Sequence, residues 1–319
     1  MERIVLNRPA WIVIAPFVFV VLWSSGFVGA KFGLPYSEPF TFLFLRMFLA
    51  LAPLGLLLLL IRPKWPRRII HYLHITVAGL LMHAVYPGGV FVALKSGLPA
   101  SLVAVIVGLQ PILTTVLAGV LLFERISRWQ WLGLVLGITG VILVVAGQNG
   151  IALGALSSFL TAAPLGGLAA ASIALCGISF GTIYQKRSGG NGNVLVTSFI
   201  QHIGAAMAFG TVALLSESMQ VQWTTTFVFS LSWLVLVMSI GAVGLLLMMI
   251  RFGEASRVAG IFFLVPPITA LEAYIFLHET LTGLAILGLA VTAVAVTLVS
   301  GISIHATNRH EYKRVLDNA

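Results

Sequence analysis

Two charged side chains stand out because each lies inside a long apolar segment of the chain. Arg46 lies in FLFLRMFLA (42–50), and Glu272 lies in a similar run at 257–277. The planar guanidinium of Arg46 is suited to binding a carboxylate, and Glu272 could accept an amine or a proton. The structural alternatives are an ion pair between the two, which lowers the cost of burying both, and an Arg46 that reaches outward to a polar surface.

Two histidines could contribute proton chemistry, because histidine titrates near neutral pH. His83 and Tyr86 are three residues apart and therefore share a helix face, and Pro87 follows directly. Pro87 removes a backbone hydrogen bond, so we expect this face to look inward, toward a cavity or another helix. His202 is a similar candidate in a later segment. A packed, hydrogen-bonded histidine is the alternative in both cases.

Four further residues could shape a binding site. Trp23 offers an aromatic face on which a ligand could stack, and Gln110 offers a polar contact beside Pro111. Pro111 and Pro266 interrupt corresponding apolar segments, and such paired interruptions point to a binding site. With Pro87 they are the candidate hinges, although a kink that serves only packing is the alternative.

The segments that carry these residues are long enough to cross a membrane. Hydrophobic residues make up 59% of the 319 residues and charged residues only 8%, whereas a soluble domain is about one quarter charged. A membrane-spanning helix needs about 20 mostly apolar residues. Ten runs meet this need, and they predict an all-α membrane protein with spans at 10–31, 40–61, 71–94, 99–122, 129–147, 166–185, 194–215, 228–250, 257–277 and 282–303.

The positive charges predict how these spans are oriented. Fifteen of the eighteen Lys and Arg residues fall on one side of the ten spans, two fall on the other, and Arg46 lies inside. By the positive-inside rule both termini are cytoplasmic, in a cytoplasmic membrane. The net charge of +9 is then explained by topology and by lipid headgroups, so no nucleic-acid partner is needed.

The two halves of the chain repeat each other at a shift of 155 residues. The shift places Pro111 on Pro266, Glu124 on Glu279 and Arg46 on Gln201. Five spans per repeat is an odd number, so the second repeat is inverted relative to the first. Inverted repeats are typical of secondary transporters with a substrate site near the membrane midplane. The predicted organisation is therefore repeat one at 10–147, repeat two at 166–303 and a cytoplasmic tail at 304–319.

Several stretches resemble the EamA family of the drug/metabolite transporter superfamily. The resemblance rests on residues 98–145, on their repetition at 253–300, and on LWSSGFVGAKFG (22–33) followed by FLFLRMFLA (42–50). It covers nearly the whole chain and implies a ten-helix carrier. Family members include exporters of amino acids and other metabolites, so the resemblance implies export without naming a substrate.

Enzyme signatures are absent from the sequence. It has no Walker-type phosphate-binding loop and no HExxH or Cys/His cluster for a metal, and Cys176 is the single cysteine. We therefore predict neither an enzyme, nor a cofactor, nor a metal site. The candidate partners are a small-molecule substrate, membrane lipids and protons, although facilitated diffusion is equally compatible. The glycines at 133, 137 and 140 are small residues at packing intervals and a candidate homodimer face.

The predicted function is export of amino acids or related amphiphilic compounds by alternating access. Two alternative functions remain open. A carrier of phosphorylated or nucleotide-linked anions would need several cations inside its cavity, and only Arg46 lies deep in a span. A non-transporting scaffold or lipid-handling protein has no need of an inverted repeat.

Overall fold

The computed structural model describes residues 10–96, 98, 103, 106–149, 164–188, 192–252, 255–277 and 282–299. Within them the chain is helical, and its extended pairing is one isolated bridge between Ser37 and Val221. We number the helices in chain order as α1 (Ala10–Gly33), α2 (Pro39–Ile61), α3 (69–95), α4 (Gln110–Leu121), α5 (Arg128–Asn149), α6 (Leu165–Ser188), α7 (Val194–Ser216), α8 (225–252), α9 (255–277) and α10 (Gly283–Val299). The predicted tail at 304–319 and Glu279 lie outside the described residues.

Three of these helices change their winding along their length. Helix α3 consists of Ile69–Gly79, a π-helical Leu80–Val85 and Tyr86–Lys95, and helix α8 consists of Thr225–Trp233, a π-helical Leu234–Ala242 and Val243–Phe252. Helix α9 consists of Ala255–Ile261, a 3₁₀ turn at Phe262–Leu264 and Val265–Leu277.

Seven of the described helices are long and apolar enough to cross a membrane. They are Ile14–Tyr36, Pro39–Ile61, Ile69–Ala93, Leu165–Ser188, Val194–Ser216, Thr225–Arg251 and Val258–Phe276. Each matches one of the ten predicted spans. Shorter apolar helices at Gln110–Leu121, Arg128–Leu143 and Gly283–Val299 lie within the other three. The chain is thus a multi-pass membrane protein, as its composition predicts.

The helix contacts follow the same 155-residue shift as the sequence. Helix α1 packs against α8 and α9, and its counterpart α6 packs against α3 and α4. Helix α2 packs on its counterpart α7, and α5 on α10. These contacts of α1, α2 and α5 therefore each correspond to a contact made by the equivalent helices of the other half.

The glycines of α5 are used for packing inside the chain. A Cβ on Gly133 would lie 2.8 Å from the Ala295 carbonyl oxygen, and one on Gly140 would lie 2.6 Å from Thr292 Cγ2. A Cβ on Gly137 would similarly meet the ring of Phe263. The structural role of these glycines is as expected, but the suggested dimer face is wrong, because α9 and α10 of the same chain cover them.

Both π-helical segments occupy matching positions in the two halves. Residues 80–85 shift onto 235–240, inside the segment Leu234–Ala242. In α3 the segment ends just before Pro87, which has no N–H to donate to the carbonyl four residues earlier, and the Tyr86 N–H bonds to Leu81, five residues back. Such bulges often occur at functional sites.

Two carboxylates join the start of α2 to the end of α7. The Glu217 carboxylate accepts hydrogen bonds from the Phe40 and Thr41 amides at 2.9 and 2.6 Å, which caps the first turn of α2. The Glu38 carboxylate accepts from the Ser218 amide and hydroxyl, both at 2.7 Å. We call these two groups the carboxylate clasp. It ties the two halves together at one end of the α2–α7 pair.

The clasp is expected to depend on pH through Glu38. The hydrogen bonds from the Ser218 hydroxyl and amide lower the pKa of Glu38 from its ordinary value of 4.5. A lowered carboxyl pKa means that the contact is complete above pH 4.5 and is lost as the pH falls through the lowered value.

Replacing Glu38 with alanine should speed hydrogen exchange at the Ser218 amide several-fold at pH 7, because that amide loses its acceptor. Amide exchange measured by mass spectrometry on overlapping peptides checks this. The Thr41 amide is the internal control, since it binds Glu217 and should keep its rate. Equal rates at Ser218 in both proteins would contradict a role for the Glu38 carboxylate.

Candidate functional site

Arg46 is buried in the middle of the bundle, where α2 faces α8. Its side chain is 9% exposed, and its Nε donates a hydrogen bond to Ser239 Oγ at 3.2 Å. Ser239 belongs to the π-helical segment of α8. Helix α2 carries Arg46 inside a run of Leu and Phe, begins with Pro39 at its first position and ends at a left-handed Arg62. The guanidinium is thus held by a rigid helix, with Ser239 as the partner of its Nε.

His83 and His202 come together beside Arg46 although they are far apart in sequence. Their rings stack with centroids 5.6 Å apart and an interplanar angle of 29°. His202 Nδ1 lies 2.8 Å from the Ser198 carbonyl oxygen and therefore carries a proton that it donates. His83 Nε2 is buried and has no hydrogen-bond partner among the described residues. Both rings are close enough to Arg46 to interact electrostatically.

An aromatic wall closes the same region on the side of α1. Trp23 stacks on Tyr86 with centroids 6.3 Å apart, and Phe262 meets Trp23 edge-on at 5.5 Å. Phe19 packs against both Trp23 and Phe262. Phe262 lies in the 3₁₀ turn that interrupts α9. The wall is therefore built from α1, α3 and the 3₁₀ turn of α9. It includes Trp23 and Tyr86, the two aromatic residues that the sequence singled out.

Gln201 is a member of this cluster that the residue-by-residue reading missed. It is fully buried on α7, and its Nε2 donates to Gln185 Oε1 at 2.7 Å, while its Oε1 has no partner among the described residues. A Cβ on Gly79 would lie 2.7 Å from Gln201 Cα, so α3 and α7 approach closely here. The 155-residue shift places Arg46 on Gln201, and that register could have identified it.

Glu272 does not pair with Arg46. The Glu272 side chain is 7% exposed, and its Oε2 has no hydrogen-bond partner among the described residues. Arg46 instead bonds to Ser239. Glu272 lies in Val265–Leu277, which packs mainly against α1 and α5, whereas Arg46 lies between α2 and α8. The structural alternative of an ion pair between Arg46 and Glu272 is therefore not observed, because the two helices present these groups to different neighbours.

Gln110 and the predicted hinge prolines lie where the helices are interrupted. Gln110 is buried in the first turn of α4 and donates weakly to Thr114 Oγ1 at 3.4 Å. Gly108 and Leu109 form a turn before α4, and Pro111 follows in the first helical turn. In α9, Pro266 follows the 3₁₀ turn in the same way. The two interruptions are therefore placed alike in the two halves.

The described residues contain no cluster of three or more His, Cys, Asp or Glu side chains that could hold a metal ion. The central site, as described above, consists of the Arg46 guanidinium, neutral amides and hydroxyls, the imidazoles of His83 and His202, and the aromatic wall. A guanidinium is suited to binding a carboxylate, and an aromatic wall is suited to packing against an apolar group.

Comparison with known proteins gives one family and several named relatives. Residues 10–146 and 165–301 each match the EamA-like transporter family. A Bacillus subtilis protein named uncharacterized transporter YvbV is 32% identical over 277 residues, which cover 82% of this chain and 83% of that protein. A Salmonella typhimurium protein named probable amino-acid metabolite efflux pump is 28% identical over 274 residues, covering 83% of this chain and 86% of its own.

A solved structure, described only as the crystal structure of a protein, shares the fold. Its TM-score is 0.72 at 17% sequence identity, and the match covers 90% of this chain and 97% of that one. At this identity the likeness concerns the arrangement of helices alone.

Proposed function

Because this chain belongs to the EamA-like transporter family of the drug/metabolite transporter superfamily, we propose that it is a secondary transporter that exports amino acids or related amphiphilic metabolites by alternating access. The observation that carries the proposal is a buried Arg46 flanked by helix interruptions that match in the two halves. The probable amino-acid metabolite efflux pump of Salmonella typhimurium, 28% identical, supports this direction and substrate class.

The proposed architecture has ten membrane-spanning helices in two inverted repeats, at 10–147 and 166–303. The two family matches support it, since they begin at residues 10 and 165 and are therefore offset by 155. The paired π-helical segments and the exchanged helix contacts support it as well. Inverted repeats can swap conformations and so open the central site alternately to each side.

In the proposed orientation both termini are cytoplasmic and the protein lies in the cytoplasmic membrane, as the distribution of Lys and Arg favours. A homodimer forms no part of the proposal, because the glycines of α5 pack within the chain. A carrier of phosphorylated anions is disfavoured, because Arg46 is the single Lys or Arg deep inside a span. An enzymatic function is disfavoured by the family and by the missing motifs.

Flux into proteoliposomes tests the proposal directly. Purified full-length protein would be reconstituted, and uptake of labelled amino acids and their metabolites would be followed against protein-free vesicles. Saturable uptake of at least one amphiphilic metabolite is the expected result. A broad panel without any flux would overturn transport and favour the scaffold alternative.

Protons are the coupling ion that we propose, with Glu272 as the group that carries them. Glu272 is a buried carboxylate whose Oε2 has no partner among the described residues, so proton binding there is unopposed by a fixed ion pair. Glu272→Gln should abolish the acceleration of transport by a pH gradient, because the amide cannot take up a proton. Parallel flux measurements with and without the gradient check this.

Glu311→Gln is the matched control for this prediction, since it removes a carboxylate of the predicted C-terminal tail, outside the spans and outside the carboxylate clasp. An undiminished response to the gradient in Glu272→Gln would remove Glu272 from proton coupling. Wild-type flux that is indifferent to the gradient would overturn proton coupling altogether.

A further inference from the structure

Among the described residues, Arg46 has no acidic partner to balance its charge. The chain has nine acidic residues, and Glu272 is the only one in the interior of a predicted span. The others lie outside the ten predicted spans, namely Glu2, Glu38, Glu124, Glu217, Glu254, Glu279, Glu311 and Asp317. Glu272 does not pair with Arg46, whose Nε bonds to a neutral serine. A buried guanidinium without a counter-ion is costly, so the site favours an anion brought by the ligand.

The groups around Arg46 that can accept a hydrogen bond are neutral. Gln201 Oε1 and His83 Nε2 are buried, and neither has a partner at hydrogen-bonding distance among the described residues, although the two side chains lie next to each other. Buried polar atoms in proteins are normally paired, so the Gln201 oxygen suits a ligand that donates an N–H or O–H group. His83 Nε2 accepts such a group as well in the tautomer that carries its proton on Nδ1. Protonation of either histidine would only add positive charge beside the guanidinium.

An ammonium group does not suit this environment. It has three N–H donors and a full positive charge, and it would lie beside a permanent cation with no carboxylate to offset the repulsion. At short range in a buried site, repulsion between like charges is poorly screened. A zwitterion therefore gains at its carboxylate and loses at its amine, whereas a monoanion only gains.

From this balance of charges we propose that the substrate is a monocarboxylate whose other groups are uncharged and whose polar donor is a neutral N–H or O–H. N-acylated amino acids and 2-hydroxy acids belong to this class. The carboxylate binds Arg46, the neutral donor binds Gln201 Oε1 or His83 Nε2, and the apolar part lies against the wall of Trp23 and Tyr86. This inference rests on the proposed transport function. It narrows the substrate class to relatives of amino acids that carry no charged amine.

Four compounds with one phenyl group separate the possibilities. N-acetylphenylalanine and 3-phenyllactate are monoanions with a neutral donor, phenylalanine is a zwitterion, and phenylsuccinate is a dianion. Their uptake would be measured at pH 7.5 into proteoliposomes clamped at zero membrane potential, with protein-free vesicles as the blank. We expect the two monoanions to enter at least tenfold faster than phenylalanine and phenylsuccinate.

Variants of Gln201 offer a sharper test. The inference predicts that they lose uptake of the monoanions and that one of them also changes its selectivity in favour of phenylalanine. Gln201→Glu adds a carboxylate next to His83, in the cluster that contains Arg46, so it should slow uptake of the two monoanions at least tenfold and speed uptake of phenylalanine. Gln201→Leu should slow uptake of the monoanions without speeding uptake of phenylalanine, because it removes the hydrogen-bond acceptor and adds no charge. Gel filtration and thermal unfolding of both variants show whether they are folded.

The outcomes separate this inference from the proposed function. Uptake of phenylalanine that equals or exceeds that of N-acetylphenylalanine would overturn the inference and leave export of amino acids standing. A folded Gln201→Glu protein with unchanged selectivity would also overturn it. No uptake of any of the four compounds would overturn the inference, and no uptake of the broad metabolite panel as well would overturn transport itself.

Discussion

Replacing Arg46 with glutamine is expected to abolish substrate flux while leaving the protein folded. The side chain is 9% exposed and is the single Lys or Arg deep within a span. Removing one member of a buried charge pair typically costs about 3–5 kcal/mol, here the pair between Arg46 and the bound carboxylate. At about 1.4 kcal/mol per factor of ten, transport should fall by roughly a hundredfold or more.

Initial rates in proteoliposomes measure this effect, and Arg67→Gln is the matched control. Arg67 is exposed in the connection between α2 and α3, so its replacement removes the same charge outside the bundle. Ser239→Ala should have a smaller effect, because it removes only the hydrogen bond to Nε. Normal flux in a folded Arg46→Gln protein would remove this residue from the mechanism.

Replacing Gly79 with leucine is expected to cause the largest loss of stability. A Cβ at this position would lie 2.7 Å from Gln201 Cα, and that neighbour is backbone, which cannot turn aside. Overpacking of this kind costs about 1–3 kcal/mol, and sometimes more. The gain in helix propensity over glycine is less than about 1 kcal/mol, so the clash dominates. Flux should fall as well, because Gln201 is displaced.

Gly244→Leu is the control for this experiment, since a Cβ there meets nothing within 4 Å. Thermal unfolding of both variants in detergent, with flux measured in parallel, tests the prediction. A Gly79→Leu protein that unfolds at the wild-type temperature would show that α3 and α7 can separate without cost.

Much of the architecture could be predicted from local sequence. The run at 40–61 became α2 (Pro39–Ile61), and the run at 194–215 became α7 (Val194–Ser216). Long apolar runs predict helices reliably because an unpaired backbone group in lipid is costly, and a helix satisfies these groups within its own segment. The resemblance to the EamA family is confirmed by the two matched segments.

The central cluster could be predicted only in part. Arg46, His83, Tyr86 and Trp23 were recognised by residue type, and the structure brings them together. Gln201 was passed over, because an amide in an apolar run is a weaker signal than a charge. The sequence could not decide whether Glu272 pairs with Arg46, because it indicates depth in the membrane but not rotation about each helix axis.

The sequence by itself determined which segments are helices, the 155-residue register between the halves, and the positions of Pro87, Pro111 and Pro266. The tertiary structure alone decided that Arg46 meets Ser239 and that His83 stacks on His202. The physical reason is that lipid and protein interior are almost equally apolar to a span. The hydropathy of a helix's faces therefore does not specify its rotation about its own axis. That rotation depends instead on close packing, such as that of Gly79 against Gln201.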